Sequence, residues 1–482
     1  MTDILRISKV NETFIKIDCE ASVAYELSDH FTFMVPNAKF HPLVKNKVWD
    51  GKIRLFNVMT KQLYVGLLNN VMAFASARDY EIEYLSEFND VPFSLAEATE
   101  FTKQLNLPAN IQPRDYQIEA LAHAVRKSRG LLLSPTASGK SLIIYTIVKY
   151  FRQKTLIIVP TISLVSQMAS DFESYGYTKP IHKIYSGVEK ETSEDIVIST
   201  WQSIYKMPAQ WFSQFNVVIG DEAHLFKAKS LTSIMEKMSN CKYRFGFTGT
   251  LDGTETNKLV LEGLFGPVKR VASTTDLIEQ KYLAKLKIKI LLMKYTDDVR
   301  KQCKGLDYPG EMDFIVRHAG RNKFIKNLAL SLSGNVLLLF QYVDKHGKEL
   351  YLSINDTTSD RKVFFVHGGV DGDERERIRK LVETEKDAII IASSGVFSTG
   401  VNIKNLHNII FASPSKSKIK TLQSIGRGLR TSDTKESVTL FDIADDLSWK
   451  TRKNFTLEHF KERMKIYVEE GFDYKIYNID LQ

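Results

Sequence analysis

Continuous apolar runs, more than strict alternation, mark the middle and the C-terminal half of this chain. Leu131-Leu132-Leu133, Thr155-Leu156-Ile157-Ile158-Val159, Ile196-Val197-Ile198, Val217-Val218-Ile219 and Phe245-Gly246-Phe247 are each about a strand long, with helical stretches between them. A strand that is apolar at nearly every position is buried on both faces, as in a parallel sheet covered by helices. Residues 114–270 therefore predict a doubly wound α/β domain. The pattern restarts at Asn335-Val336-Leu337-Leu338-Leu339-Phe340 and runs through Lys362-Val363-Phe364-Phe365-Val366-His367. It continues in Ala388-Ile389-Ile390-Ile391-Ala392 and His407-Asn408-Ile409-Ile410-Phe411-Ala412, predicting a second α/β domain. The N-terminal stretch differs. Alternation in Phe14-Ile15-Lys16-Ile17-Asp18-Cys19 and a helix over 21–31 predict a small α+β unit. The expected parts are 1–105, 106–275, 276–448 and a short helical, aromatic tail at 449–482.

Chemistry collects where the apolar runs stop, as doubly wound sheets require. After Leu133 come Ser134-Pro135-Thr136-Ala137-Ser138-Gly139-Lys140-Ser141 and an apolar helix. This is the P-loop pattern: backbone N–H groups close around phosphate oxygens, Lys140 reaches the terminal phosphates and Ser141 can ligate Mg²⁺. Ser134 stands where the pattern has Gly. Val217-Val218-Ile219-Gly220 ends in Asp221-Glu222-Ala223-His224, a strand running into two acids. Asp221 can hold Mg²⁺ through water and Glu222 can orient and deprotonate the attacking water. Without the P-loop, such acids would more simply cap the next helix. Upstream, Arg114-Asp115-Tyr116-Gln117 opens a helix, and the Gln117 amide has the donor and acceptor needed for an adenine edge. The second domain has no P-loop. It carries Ser398-Thr399-Gly400-Val401-Asn402 and a helical face with Gln423, Arg427 and Arg430 at i, i+4 and i+7. Such a face suits contact with a triphosphate held elsewhere, the alternative being an ordinary surface-arginine face.

Charge adds a partner. The formal net charge is +9, with 43% hydrophobic and 26% charged residues, so a folded chain with a polyanionic partner is expected. In the N-terminal unit, Asp50-Gly51 between alternating runs predicts a two-residue hairpin loop. It would set Lys45, Lys47, Trp49, Lys52 and Arg54 on one face, with Lys47 opposite Arg54. Like charges across a ladder are unfavourable, and phosphate between them would explain the pairing; a solvated face is the alternative. Cys19, Cys241 and Cys303 are widely spaced, which argues against a zinc site or disulfide framework. No signal-like segment or membrane-length apolar run is seen, so a cytoplasmic monomer without membrane contact is expected.

Taken in order, these residues resemble the motif series of the superfamily 2 helicases, the group containing the DEAH-box enzymes. Arg114-Asp115-Tyr116-Gln117, residues 134–141, Val159-Pro160-Thr161, Thr200-Trp201-Gln202-Ser203, Asp221-Glu222-Ala223-His224 and Phe247-Thr248-Gly249-Thr250 match the first half. Ser398-Thr399-Gly400-Val401-Asn402 and residues 423–430 match the second, with Asn402 where Asp is common. A closer resemblance, to the UvsW-type DNA helicases of T4-like phages, adds Trp49-Asp50-Gly51-Lys52-Ile53-Arg54-Leu55, Trp211-Phe212-Ser213-Gln214-Phe215, Gly395-Val396-Phe397 and the aromatic tail. The resemblance implies two tandem RecA-like domains and ATP with Mg²⁺ as cofactors. The ATP would be held by Arg114, Gln117, Pro135, Thr136, Ala137, Ser138, Gly139, Lys140 and Ser141. Lys140, Asp221, Glu222, Gln423, Arg427 and Arg430 are the implied catalytic set, and Ser141 and Asp221 the Mg²⁺ ligands. His224, Thr248, Thr250 and Gly400 would couple hydrolysis to movement, and Thr161, Thr200 and Thr399 would lie along the strand backbone. The implied activity is ATP-driven remodelling of Holliday junctions, forks and R-loops in recombination, repair and replication, in the host cytoplasm. An RNA helicase, a duplex-DNA translocase of a restriction-type complex and an inactive nucleic-acid-binding relative remain open alternatives.

Overall fold

The computed structural model describes residues 3–35, 38–249, 251, 255–399, 403, 405–414, 417, 425–426, 429 and 437–481. Chain contacts divide it into two units, residues 1–134 with 139–271 and residues 135–138 with 272–482. In the first unit, β1 (Ile4–Lys9), β2 (Phe14–Asp18), β5 (Gln62–Tyr64) and β6 (Glu81–Tyr84) form a sheet in the order β5-β2-β1-β6. Its alternation buries Leu5, Ile7, Ile15 and Ile17 against Val23 and Leu27 of the helix Ala21–His30 and Val71 and Phe74 of the helix Leu68–Ser76.

The strands β7 (Arg129–Leu133), β8 (Thr155–Val159), β9 (His182–Ile184), β10 (Ile196–Thr200), β11 (Val217–Asp221), β12 (Tyr243–Thr248) and β13 (Val268–Arg270) form one sheet. Its order is β13-β7-β12-β11-β8-β10-β9, and every pairing is parallel. The fully apolar strands are buried on both faces, as their composition predicts. The N-terminal layer shares one of those cores. Arg244, 1% exposed, donates to the carbonyls of Cys241, Met235 and Met238 and to Thr13 Oγ1. Tyr64 donates to Glu236 at 2.6 Å.

The second unit repeats the architecture. Its strands are β14 (Lys285–Lys294), β15 (Val336–Phe340), β16 (Val363–Val366), β17 (Ile389–Ser393), β18 (Asn408–Phe411), β19 (Ser437–Asp446) and β20 (Tyr474–Asp480), in the order β16-β17-β15-β18-β19-β14-β20, again all parallel. The chain is thus α/β with two tandem doubly wound sheets after a small α+β layer. The tail is built into the second unit. Its helix Phe455–Glu469 is followed by β20, which pairs with β14. Buried Glu311 accepts from the N–H groups of Phe455 and Thr456, and Arg463 meets Asp442 in a buried ion pair. Among the described residues no helix is long and apolar enough to cross a membrane.

The hairpin expected at Asp50-Gly51 does not form. β4 (Lys52–Arg54) pairs with β3 (Thr32–Met34), Arg54 lying opposite Thr32. Pro42 opens a helical turn, Pro42–Lys45, whose first free N–H is capped by His41, and this removes the upstream half of the expected ladder. Lys47 takes a positive φ of 56°, and Arg54 pairs with Asp50 rather than facing Lys47. Gly51, φ +78°, is needed for close approach: a Cβ there would stand 2.8 Å from Ala38 Cβ.

Candidate nucleotide site

β7 delivers the chain to the P-loop at the carboxyl edge of the first sheet. Ser134 N–H donates to the carbonyl of Thr248 at the end of neighbouring β12, 2.9 Å away. Positive φ falls on Ala137 (68°) and Gly139 (76°) and not on Ser134, so serine in place of the pattern's glycine carries no left-handed strain there. Ala137 in the left-handed region costs about 1–2 kcal/mol, strain that persists where a loop is held for a purpose. Gly139 caps the helix Lys140–Phe151, and a Cβ there would strike Gln117 Nε2. Gln117 is buried; its Oε1 accepts from Arg114 N–H at 2.9 Å and its Nε2 donates to the Gly139 carbonyl at 3.4 Å. Arg114 and Gln117 are therefore brought to the loop.

Lys140 Nζ lies 3.3 Å from Asp221 Oδ1 and 3.4 Å from Glu222 Oε1. Burial works against the Lys140 charge, but the two carboxylates outweigh it and hold its pKa above the usual lysine value. Burial pushes Asp221 upward; Lys140 opposes this and Glu222 adds to it. One cation thus serves two carboxylates. Glu222 sits at φ 51°, a second strained residue within the site. His224 Nδ1 is 3.4 Å from Glu222 Oε2 and 3.0 Å from Thr248 Oγ1. A polar chain therefore runs from the start of the P-loop through Thr248 and His224 to Glu222 and Lys140. Ser141 Oγ is 2.8 Å from the hydroxyl of Tyr175. Sequence reasoning missed Tyr175, since it belongs to no motif and only its aromatic neighbours Tyr145 and Phe172 hint at a packed position. The hydroxyl of Ser141 and the carboxylate of Asp221 are both hard oxygen donors, the set Mg²⁺ takes.

Thr161 and Thr200 share the same edge. Thr200 ends β10 beside Val159 of β8, and Thr161 caps the next helix, accepting from Leu164 N–H at 3.4 Å. The helix Ser394–Thr399 follows β17, but the side chain of Thr399, and all of Thr250, Gly400, Gln423, Arg427 and Arg430, lie outside the described residues. In the N-terminal layer Lys45, Lys47, Lys52 and Arg54 are exposed, and Trp49 Nε1 donates to the Lys52 carbonyl at 3.0 Å.

A P-loop and an acidic strand end on one doubly wound sheet, followed in the chain by a second sheet of like winding, define a RecA-like nucleotide hydrolase. Three family models match: the res subunit of type III restriction enzymes over residues 110–253, the N-terminal domain of DNA helicase UvsW over 6–85, and the helicase conserved C-terminal domain over 320–432. The ATP-dependent DNA helicase uvsW of Enterobacteria phage T4 is 34% identical, covering 97% of this chain and 98% of that one. The DNA 3'-5' translocase XPB2 of Sulfurisphaera tokodaii is 28% identical over 67% of this chain and 80% of its own. The crystal structure of T4 UvsW superposes with a TM-score of 0.53 at 32% identity, each chain fully covered. The chain belongs to the UvsW family of superfamily 2 helicases.

Proposed function

We propose that the chain is an ATP-dependent DNA helicase or translocase that unwinds or remodels branched DNA, and so serves recombination, repair and replication. The observation that carries the ATP-driven half is Lys140 held between Asp221 and Glu222 at the mouth of the P-loop; the DNA half is supported by the likeness to T4 uvsW over nearly the whole chain. Such a lysine exchanges partners when a triphosphate arrives: phosphate oxygens take its charge, and the carboxylates are released for their own work. Mg²⁺, held by Ser141 and Asp221, would neutralise charge on the transferred phosphoryl group. Glu222, freed from Lys140, accepts a proton from the attacking water. Gln117 holds the loop through Gly139 and is assigned to the adenine edge, which it would meet by giving up one of its present amide partners. Gln423, Arg427 and Arg430 are assigned, on the resemblance of residues 423–430 to the family motif, to the charge developing on the γ-phosphate.

His224 and Thr248 link Glu222 to the P-loop and are assigned to coupling, with Thr250 and Gly400. Thr161, Thr200 and Thr399 are assigned to the strand backbone, and Lys45, Lys47, Trp49, Lys52 and Arg54 to DNA binding. The division of labour proposed is 1–105 for DNA engagement, 106–275 and 276–448 for the motor, and 449–482 as a tail. The match of the restriction-subunit model favours a duplex translocase as the second reading. Strand displacement on a synthetic four-way junction tests the proposal. The parent chain separates the arms only with ATP, and Glu222→Gln binds the junction without separating it. Separation without ATP, or by the variant, contradicts it.

A further inference from the structure

At the carboxyl ends of β15, β17 and β18, the second unit holds a cavity of about 630 Å³ whose described lining includes none of the residues assigned to ATP. β15 lies where the winding reverses, with β16 and β17 on one side and β18 and β19 on the other. That crevice is where open parallel sheets take ligands, and the volume suits a ligand of nucleotide size. Its floor is fixed. Ser394 Oγ donates to the Phe340 carbonyl at 3.0 Å, and Ser413 Oγ accepts from Gln341 N–H at 3.1 Å.

One wall is aromatic. The Tyr308 ring centroid is 6.2 Å from that of Phe455 and 5.1 Å from that of His459. Phe455 is 42% exposed, yet its backbone N–H donates to buried Glu311 at 3.0 Å. An exposed ring on a rigid mount offers a stacking face at little entropic cost. None of the described lining residues is Lys, Arg, Asp or Glu, which favours a flat, uncharged, hydrogen-bonding group over a bare phosphate. In the sequence, Ser417 belongs to Ser415-Lys416-Ser417-Lys418-Ile419-Lys420, a lysine-rich run of the kind that polyanion-binding chains carry.

We propose that this cavity takes an unstacked nucleobase of a DNA single strand, its face on Phe455 and Tyr308 and its edge toward the Gln341 amide. The inference rests on the DNA reading above and adds a base-stacking subsite to it. Equilibrium binding of the full chain to a thymidine oligonucleotide and to an abasic oligonucleotide of equal charge tests it, with free dTMP as competitor. Phe455→Ala is expected to weaken binding to the thymidine strand by about 5- to 100-fold. Its salt slope should be unchanged, because no phosphate contact is lost. The parent's preference for thymidine over abasic strands should vanish in Phe455→Ala and persist in Phe455→Trp. Equal affinity of parent and Phe455→Ala would overturn the subsite, as would equal losses on both strands. Tight dTMP binding at the cavity without any base dependence on strands would make it a mononucleotide site and also overturn it. A parent chain that binds no DNA would instead remove the DNA reading itself.

Discussion

Lys140 Nζ lies 3.3 Å from Asp221 Oδ1, and Glu222 competes for the same cation from 3.4 Å. The ionised form of Asp221 is disfavoured, first by burial and then by Glu222, so its pKa is raised on folding. A raised carboxyl pKa stabilises the fold at pH values below the unfolded pKa, and that contribution is lost as pH rises through the folded value. At neutral pH the charge is therefore a cost. Asp221→Asn is predicted to melt at or above the parent temperature at pH 7, while ATP hydrolysis falls at least ~10²-fold. Calorimetry and a steady-state ATPase assay check both halves; a drop of several degrees would show that pairing with Lys140 outweighs the burial cost of Asp221 and would contradict the balance described.

The acid side of the stability profile has a different origin. His346 is fully buried beside Ser413, and burial, helped by Arg321, pushes its pKa down from 6.5 to about 3. A depressed histidine pKa means full stability above 6.5, lost as pH falls toward 3. His346→Asn should be less stable than the parent at pH 7 but flatter between pH 6.5 and 4. Melting temperatures across that range test it, and parallel curves would rule His346 out.

The tail is tied down by charge. Arg463 Nη2 is 2.8 Å from Asp442 Oδ1, both side chains are buried, and Tyr467 donates to Asp442 Oδ2 at 2.8 Å. Removing one partner strands the other charge, so Arg463→Leu should cost about 3–5 kcal/mol by urea denaturation. The double change Arg463→Leu/Asp442→Leu should recover part of that loss. An unchanged midpoint for the single variant would contradict the anchoring role.

The P-loop and most strands of both parallel sheets were legible in the sequence because strands buried on both faces leave continuous apolar runs; Ser437–Asp446, whose run is broken by Thr439, Asp442 and Asp445, was not read as a strand. The acids at Asp221 and Glu222 were legible for the same reason, standing where such a run ends. The Asp50-Gly51 hairpin was misread because Pro42 and the His41 cap bend the preceding segment into a helical turn. The strand Tyr474–Asp480 was hidden: it lies at a sheet edge, mostly exposed, and its partner Lys285–Lys294 is distant in sequence. The contact between Ser141 and Tyr175 left no sequence signal, since it depends on how two helices pack.

DNA engagement by the N-terminal layer makes its own prediction. Lys45, Lys47 and Lys52 are exposed, whereas Arg54 is paired with Asp50. The triple change Lys45→Ala/Lys47→Ala/Lys52→Ala should weaken junction binding and lower the salt slope by up to about 2.7, at ~0.9 per phosphate contact. Junction titrations from 50 to 200 mM salt, about the range over which such contacts are lost, measure it. An unchanged slope would remove these lysines from the interface.

The central claim is that ATP turnover at Lys140, Asp221 and Glu222 is driven by DNA. The most direct measurement is the ATPase rate of the parent chain and of Lys140→Ala with a branched DNA, a linear duplex and an RNA of equal length. The parent is predicted to be stimulated most by branched DNA, and Lys140→Ala to be silent with all three. Stimulation by RNA alone, or turnover by Lys140→Ala at the parent rate, would contradict the account.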